Sequence, residues 1–260
     1  MAFVLPPSAE HAGFRLSAYG TIGSTNAEAL ALGRAGDPGP LWLVSTHQTA
    51  GRGRRGKLWA TPRGNLAASL LLRIECPPAK AATLGFVAGL ACHTALADAA
   101  PGARFALKWP NDVLCGGAKL AGILLESETV AGGARILVVG IGINVVAVPR
   151  DLPYAATSLA QAGYGGTAEA LFEALSESWL EFAAIWAAPD GIARTRELWL
   201  ARAAGLGRPV SARVGERRIE GYFETIDDAG QLILRASDGS YQAIAAAELE
   251  FGSAPASPVG

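Results

Sequence analysis

Cysteine, histidine and lysine are scarce in this chain, and neither sign of charge is in excess. Lys+Arg is 22 against Asp+Glu 23, a formal net charge of −1. No general field therefore draws in nucleic acid or an anionic membrane, and any polyanion site has to be local. The three cysteines, Cys76, Cys92 and Cys115, form no CxxC pair and are odd in number, which reads as reduced thiols in a cytoplasmic protein. His11, His47 and His93 stand without HxxxH or HxH spacing, so no zinc or iron ligand set is visible and a metal should arrive with a substrate. Residues 1–14 have no basic region ahead of a continuous apolar run, and Pro6-Pro7 interrupts the only short one, so no secretory signal is apparent. The most membrane-like stretch, 81–97, contains Thr83, Gly85, Gly89, His93 and Thr94. The apolar run 136–149 falls short of the ~20 residues a spanning helix needs. Both read as buried core.

What is present is enough apolar material for a core: 260 residues, 50% hydrophobic and 17% charged. Ser24 or Thr25 precedes helically spaced Ala27, Leu30 and Ala31 with Glu28 close behind, the start of a capping-box helix over 25–34. Runs 41–46 and 66–73 read as strands, 80–100 as a long buried helix ended by Pro101-Gly102. Four further strands are expected at 105–109, 113–115, 120–128 and 135–148, with turns at Gly116-Gly117 and Gly132-Gly133. Helical periodicity returns from 167 to about 203. From 209 to 251 short β-like runs alternate with turns, so we expect a large domain over 1–205, a small β-barrel module over 206–251 and a disordered Pro/Gly/Ser tail over 252–260.

Gly51-Arg52-Gly53-Arg54-Arg55-Gly56-Lys57 packs three glycines and four cations into seven residues. It fits G-x-G-x-x-G, but no helix can follow through Thr61-Pro62-Arg63-Gly64. It fits the P-loop pattern except that Leu58 stands where the hydroxyl should be. What remains is an anion-binding loop, whose glycines admit a ligand to the backbone and whose guanidinium groups pair with carboxylate or phosphate. Standing alone, it would equally suit a solvated loop or an RNA contact. Lys108-Trp109-Pro110-Asn111-Asp112 sets a cation and a carboxylate around a proline bend, and Lys119 opens the next strand. With 18 Arg and 4 Lys in the chain, lysine at 108 and 119 suggests that a compact ammonium is needed there. Asn144 places an amide within the apolar run 141–145, where it needs a structural or a ligand partner.

Taken in order, Gly23-Ser24-Thr25-Asn26, the segment 48–56, Trp59 with 61–66, Lys108–Asp112, Lys119–Leu124 and Gly140–Val145 resemble the motifs of biotin–protein ligases over about residues 20–146. The resemblance implies an α+β domain of mixed sheet and flanking helices, class II synthetase-like, followed by an SH3-like barrel. It implies two half-reactions: biotin attacks the α-phosphorus of MgATP to give biotinyl-5′-AMP and pyrophosphate, and a lysine of a carboxylase's biotin carrier domain then displaces AMP. ATP and biotin would be substrates, with Mg²⁺ arriving on ATP. Ser24, Thr25, Asn26 and Gln48 match polar contacts to biotin, and Arg52, Gly53 and Arg54 match the loop over biotin and phosphate. Lys119 matches the bridge between biotin carboxylate and phosphate, with Gly122 and Ile123 as backbone contact and apolar wall. Trp59 would cover the adenine and Asn144 read its edge, while Asp112, with Lys108 nearby, would orient or deprotonate the acceptor amine.

A lipoate or octanoate ligase of similar fold would need a long apolar slot in place of Ser24–Asn26. A non-catalytic biotin- or RNA-binding protein would leave Lys119 and Asp112 idle. The acceptor is expected to be the carrier domain of acetyl-CoA carboxylase or a related enzyme, with no membrane partner and a monomeric or weakly dimeric state. Many relatives carry an N-terminal helix-turn-helix reader, whereas here the motifs start at Gly23 and the acidic residues of 206–251 match or exceed its arginines. The expectation is no operator binding and no repressor activity. A gel-shift titration at physiological salt against promoter DNA of the host's biotin genes should therefore show only weak, salt-sensitive association; tight, sequence-selective binding strengthened by biotin would overturn it.

Overall fold

The computed structural model describes residues 2–251, so the expected tail at 252–260 lies outside the described residues. In chain order the elements are α1 (Pro7–His11), β1 (Arg15–Tyr19), α2 (Thr25–Arg34), β2 (Leu41–Ser45), β3 (Leu66–Ile74), α3 (Pro78–Ala82), α4 (Leu84–Ala99), β4 (Phe105–Lys108), β5 (Asp112–Cys115), β6 (Ala118–Thr129) and β7 (Arg135–Ile143). There follow α5 (Ala168–Ala187), α6 (Gly191–Leu200), β8 (Pro209–Val214), β9 (Arg217–Ile226), β10 (Leu232–Arg235), β11 (Tyr241–Ile244) and β12 (Glu248–Phe251). Seven strands form one sheet in the order β1-β2-β3-β7-β6-β5-β4. Only β1 and β2 run parallel; every other neighbouring pair is antiparallel, which makes the sheet mixed, as expected.

Two layers cover this sheet. On one face α4 and α5 pack over the central strands, with α6 against both helices. Trp42 of β2 meets Phe172 and Trp179 of α5 edge-on at centroid distances of 5.5 and 6.0 Å, a geometry that suits the ring quadrupoles. Trp199 of α6 comes close to Gly89 of α4, where a Cβ would lie 3.3 Å from the indole Nε1. The segment Pro78–Ala99 is long and apolar enough to cross a bilayer, but 67% of its most apolar window is buried inside the fold. On the other face, α2 buries Ala29 and Leu30 against Leu71 and Val138. It covers only part of that face, and the uncovered remainder carries the cleft described below.

Cross-strand register explains why the remainder stays open. Ala67 pairs with Gly142 and Gly142 with Gly122; Ser69 pairs with Gly140 and Gly140 with Leu124. Residues directly opposite one another in a sheet share a face, so β3, β7 and β6 bring Ala67, Ser69 and three glycines into one shallow patch.

The C-terminal strands form a five-stranded antiparallel sheet, β11-β10-β9-β8-β12. Trp109, buried in the β4–β5 hairpin, donates its indole N–H to Gly230 O in the β9–β10 turn at 3.0 Å. Leu107 and the 202–204 segment exchange backbone bonds of 2.8 Å. The first contact ties the module to the large sheet, and the second fixes the segment that leads into it.

Several boundaries differ from expectation. The helix expected over 80–100 is two, divided at Thr83, and β7 stops at Ile143 because Asn144 turns the chain away. Neither α1 nor β1 is legible in the sequence; each is five residues long, and β1 owes its extension to pairing with β2. At α2, Ser24 Oγ accepts from Ala27 N at 3.4 Å, so Ala27 holds the N3 position and Glu28 lies one place too far for a reciprocal capping box.

His93 of α4 packs edge-on against Phe105, and burial first, then the charge of Arg202, holds its imidazole below the ordinary histidine range. The unfolded chain therefore takes up a proton near pH ~6.5 before the folded chain does. Stability is complete above that pH and falls as the pH drops toward the depressed folded value. Thermal unfolding of His93→Phe between pH 7.5 and 5.5 should show a shallower loss of Tm than the wild type; equal slopes would count against this origin.

Candidate functional site

The open patch is the floor of a cleft of about 940 Å³. The N-terminal turn of α2 and Gln48 form one wall, the basic loop with Trp59 another, and Lys108–Asp112, Lys119 and Tyr154 the far end, with Arg213 and 248–251 of the module at the rim. Small residues in the floor let two side chains lie flat on the strands. A Cβ at Gly140 would sit 2.1 Å from Asn26 Oδ1, and one at Gly142 2.2 Å from Trp59 Nε1. Neither substitution fits without displacing the side chain above it.

The wall at α2 is a buried polar chain. Gln48 Oε1 accepts from Thr25 N at 2.8 Å and from Thr25 Oγ1 at 3.1 Å, while Gln48 Nε2 donates to Thr61 Oγ1 at 3.1 Å. Ser69 Oγ lies 2.7 Å from Thr25 Oγ1 and donates to Asn26 Oδ1 at 2.5 Å; Asn26 Nδ2 donates to Glu126 Oε2 at 2.8 Å. Ser24, Thr25, Asn26 and Gln48 are all buried, and this mutual bonding is what makes their desolvation tolerable.

Cations occupy the opposite side. Arg54 Nη1 donates to Asn111 Oδ1 at 3.1 Å, and burial, followed by the like charge of Arg55, pulls its guanidinium below the usual arginine range against the opposing effects of Asp112 and Glu248. Arg52 Nη1 stands 3.5 Å from Glu126 Oε1, and Lys57 pairs with Glu248 of β12. Lys119 Nζ lies 2.7 Å from Asp112 Oδ1, with the rings of Trp59 and Tyr154 at 5.5 and 5.4 Å from it. Gly53, Gly122 and Ile123 line the same cleft.

Two residues have side-chain partners that the sequence does not reveal. Lys108 and Asp112 are cross-strand partners of the β4–β5 hairpin, yet Lys108 Nζ lies over the Phe251 ring at 5.4 Å while Asp112 pairs with Lys119. Asn144 is buried but does not line the cleft: its Nδ2 donates to Thr157 O at 3.1 Å and its backbone N to Leu120 O at 3.0 Å. With Asn65, whose Oδ1 accepts from Val146 N and Ala147 N at 3.0 and 3.1 Å, it secures the turn after β7. The partners of Asn144 are structural: the backbone of Thr157 and Leu120 and the Asn65 amide, whose Nδ2 donates to Asn144 Oδ1 at 3.5 Å. Conversely, Tyr154 lines the cleft, and Ser69 and Glu126 hold its polar wall through Asn26; the one signal for these three in the sequence is Ser69, a hydroxyl inside an apolar strand. Among the described residues no group of three or more His, Cys, Asp or Glu side chains could hold a metal ion.

Residues 24–144 match the Biotin/lipoate A/B protein ligase family and residues 205–252 the Biotin protein ligase C terminal domain. The chain is 47% identical over 235 residues to the biotin–[acetyl-CoA-carboxylase] ligase of Paracoccus denitrificans, covering 88% of this chain and 97% of that protein. It is 32% identical to the bifunctional ligase/repressor BirA of Bacillus subtilis, covering 92% and 75%. Its structure is similar to that of the biotin protein ligase from Aquifex aeolicus in complex with biotin and ATP, with a TM-score of 0.76, 25% identity and coverage of 92% and 99%.

The Trp59–Gly142 contact yields a double-mutant cycle. Gly142→Ala alone should cost about 1–3 kcal/mol in urea unfolding, the range for overpacking. Part of that loss should return in Gly142→Ala/Trp59→Ala, because removing the indole relieves the clash. Additive losses would show that the two positions are not in contact.

Proposed function

The chain belongs to the biotin/lipoate A/B protein ligase family, and from that premise we propose that it attaches biotin to a lysine of a carboxylase's carrier domain at the expense of ATP. It is a biotin–[acetyl-CoA-carboxylase] ligase that uses biotin and MgATP as substrates. The biotin carboxylate attacks the α-phosphorus, forming an acyl–phosphate bond and releasing pyrophosphate. The acceptor amine then attacks the acyl carbon, forming the amide and expelling AMP. The observation that carries this reading is one cleft with a buried polar wall at Ser24–Asn26 and Gln48 facing Arg52, Arg54 and Lys119. A rigid ureido ring suits the wall, and a carboxylate beside a triphosphate suits the cations. The long apolar slot that a lipoyl or octanoyl chain needs would have to replace that wall.

In this reading Gln48, Ser24, Thr25 and Asn26 hold the ureido ring, and Gly122 and Ile123 supply backbone contact and apolar wall. Arg52, Gly53 and Arg54 close over the phosphate, and Trp59 covers the adenine. Lys119 bridges carboxylate and phosphate, stabilising charge that accumulates in the transition state. Its resting partner is Asp112, 2.7 Å away. Transfer of Lys119 to the ligand anion leaves the Asp112 carboxylate without its cation, and that carboxylate then orients or deprotonates the incoming amine. We read 1–205 as the catalytic domain and 206–251 as the SH3-like domain. The acceptor is the carrier domain of acetyl-CoA carboxylase or a related carboxylase. We place the protein in the cytoplasm, as a monomer or weak homodimer without DNA or membrane partner; the three unpaired cysteines support that compartment.

Exchange of radiolabelled pyrophosphate into ATP, measured with and without biotin, tests the activity: exchange should depend on biotin and should not be supported by octanoate or lipoate. Biotin-independent or absent exchange would refute it. In the same assay Lys119→Arg keeps the charge but replaces a point ammonium with a planar fork, and adenylation should fall at least ~10²-fold, the range for one preorganised electrostatic contact. A near-wild-type rate would make Lys119 an ordinary surface cation.

A further inference from the structure

Behind the polar wall of the cleft, outside its lining and outside the set of residues proposed to touch biotin, Glu126 of β6 closes the polar chain. Its Oε2 accepts from Asn26 Nδ2 at 2.8 Å, and its Oε1 lies 3.5 Å from Arg52 Nη1. We propose that Glu126 is a positioning residue for biotin recognition, which sets the polarity of the Asn26 amide that faces the ligand. This assignment rests on the reading of the cleft as the biotin site.

The two ends of a primary amide are nearly equal in shape, so only hydrogen-bond partners decide which end points where. A carboxylate accepts and does not donate, so Glu126 admits Nδ2 and rejects Oδ1. At the other end Ser69 Oγ donates to Oδ1 at 2.5 Å. A hydroxyl can also accept, so Ser69 serves either end of the amide, and it is the Glu126 carboxylate that fixes the orientation. Nδ2 carries a second hydrogen for which the structure gives no protein acceptor among the described residues, and Asn26 lines the cleft. A ureido carbonyl oxygen is an acceptor that such a hydrogen serves; a flipped amide would meet it with a lone pair instead. Sites that pair a buried polar group discriminate strongly against the mismatched partner. Arg52 offsets the charge of the half-buried carboxylate and links the basic loop to the same residue.

The competing role for Glu126 is mere anchorage of α2 to β6, and an exchanged pair separates the two. Glu126→Gln can donate to Asn26 Oδ1 and so tolerates the flipped amide. Asn26→Asp/Glu126→Gln restores a donor–acceptor bond between the same two positions but offers the cleft no donor from position 26. Calorimetric titration with biotin alone should give at least ~10-fold weaker binding for Glu126→Gln. The exchanged pair should recover the wild-type Tm and remain at least as weak. At saturating biotin, kcat for adenylation by Glu126→Gln should stay within ~3-fold of wild type, because the amide lies at the polar wall and not at the reacting carboxylate. Wild-type affinity in the exchanged pair, or binding by Glu126→Gln within twofold of wild type, would overturn the proposal. Should Glu126→Gln fail to fold, Glu126→Ala removes the acceptor that holds Nδ2 and must weaken biotin binding likewise; unchanged affinity in folded Glu126→Ala also overturns it. Wild-type protein that binds no biotin would instead overturn the reading of the cleft, a result separable from any comparison between variants.

Discussion

A sheet face can accept a flat ligand only where its strands carry little that projects, and here that constraint is met by register. Because β3, β7 and β6 are antiparallel and in step, Ala67, Gly142 and Gly122 fall in one row, and Ser69 and Gly140 begin the next. A slip of one residue on β7 would turn Ile141 into the cleft and put Gly140 and Gly142 toward the helices. The buried pattern of β7 therefore does two things at once. Its branched residues fill the core under α4, and its glycines leave the opposite face low enough for Asn26 and Trp59 to lie across it.

The second constraint is electrostatic. In a chain with almost balanced charge, the cleft gathers Arg52, Arg54 and Lys119, and two of these cations have a carboxylate as resting partner: Glu126 for Arg52 and Asp112 for Lys119. Arg54 has the neutral amide of Asn111, and burial disfavours its protonated form. Arg52 and Lys119 thus rest against internal carboxylates, whereas Arg54 feels those of Asp112 and Glu248 only at a distance.

Much of this was legible in sequence because it is local. Helix α2 and the strands β2 and β3 follow from periodicity and capping residues, and the basic loop is visible from its composition alone. What was not legible is what depends on pairing at long range. Glu126 is 100 residues from Asn26, and nothing in its neighbours along the chain marks it as a cleft residue. Lys108 and Asp112 show the same limit: the hairpin makes them neighbours across strands, but their side-chain partners, Phe251 and Lys119, come from segments that local spacing does not indicate. Asn144 was read as an amide needing a partner, which was correct; the choice between backbone and ligand depended on where 157 returns, information that local spacing does not carry.

The segment Lys108–Asp112 joins the two sheets to one site. Trp109 is buried and bonded to Gly230, Lys108 rests on Phe251, and Asp112 and Asn111 hold Lys119 and Arg54. Four of the five residues of this short hairpin thus carry contacts that link the module, the large sheet and the partners of both cations. The Lys57–Glu248 pair closes the same circuit from the basic loop. That pair is exposed and contributes little to stability by itself, whereas the Trp109–Gly230 bond is shielded and backed by packing. The hairpin, more than the surface ion pair, is therefore what keeps the module seated at the rim of the cleft.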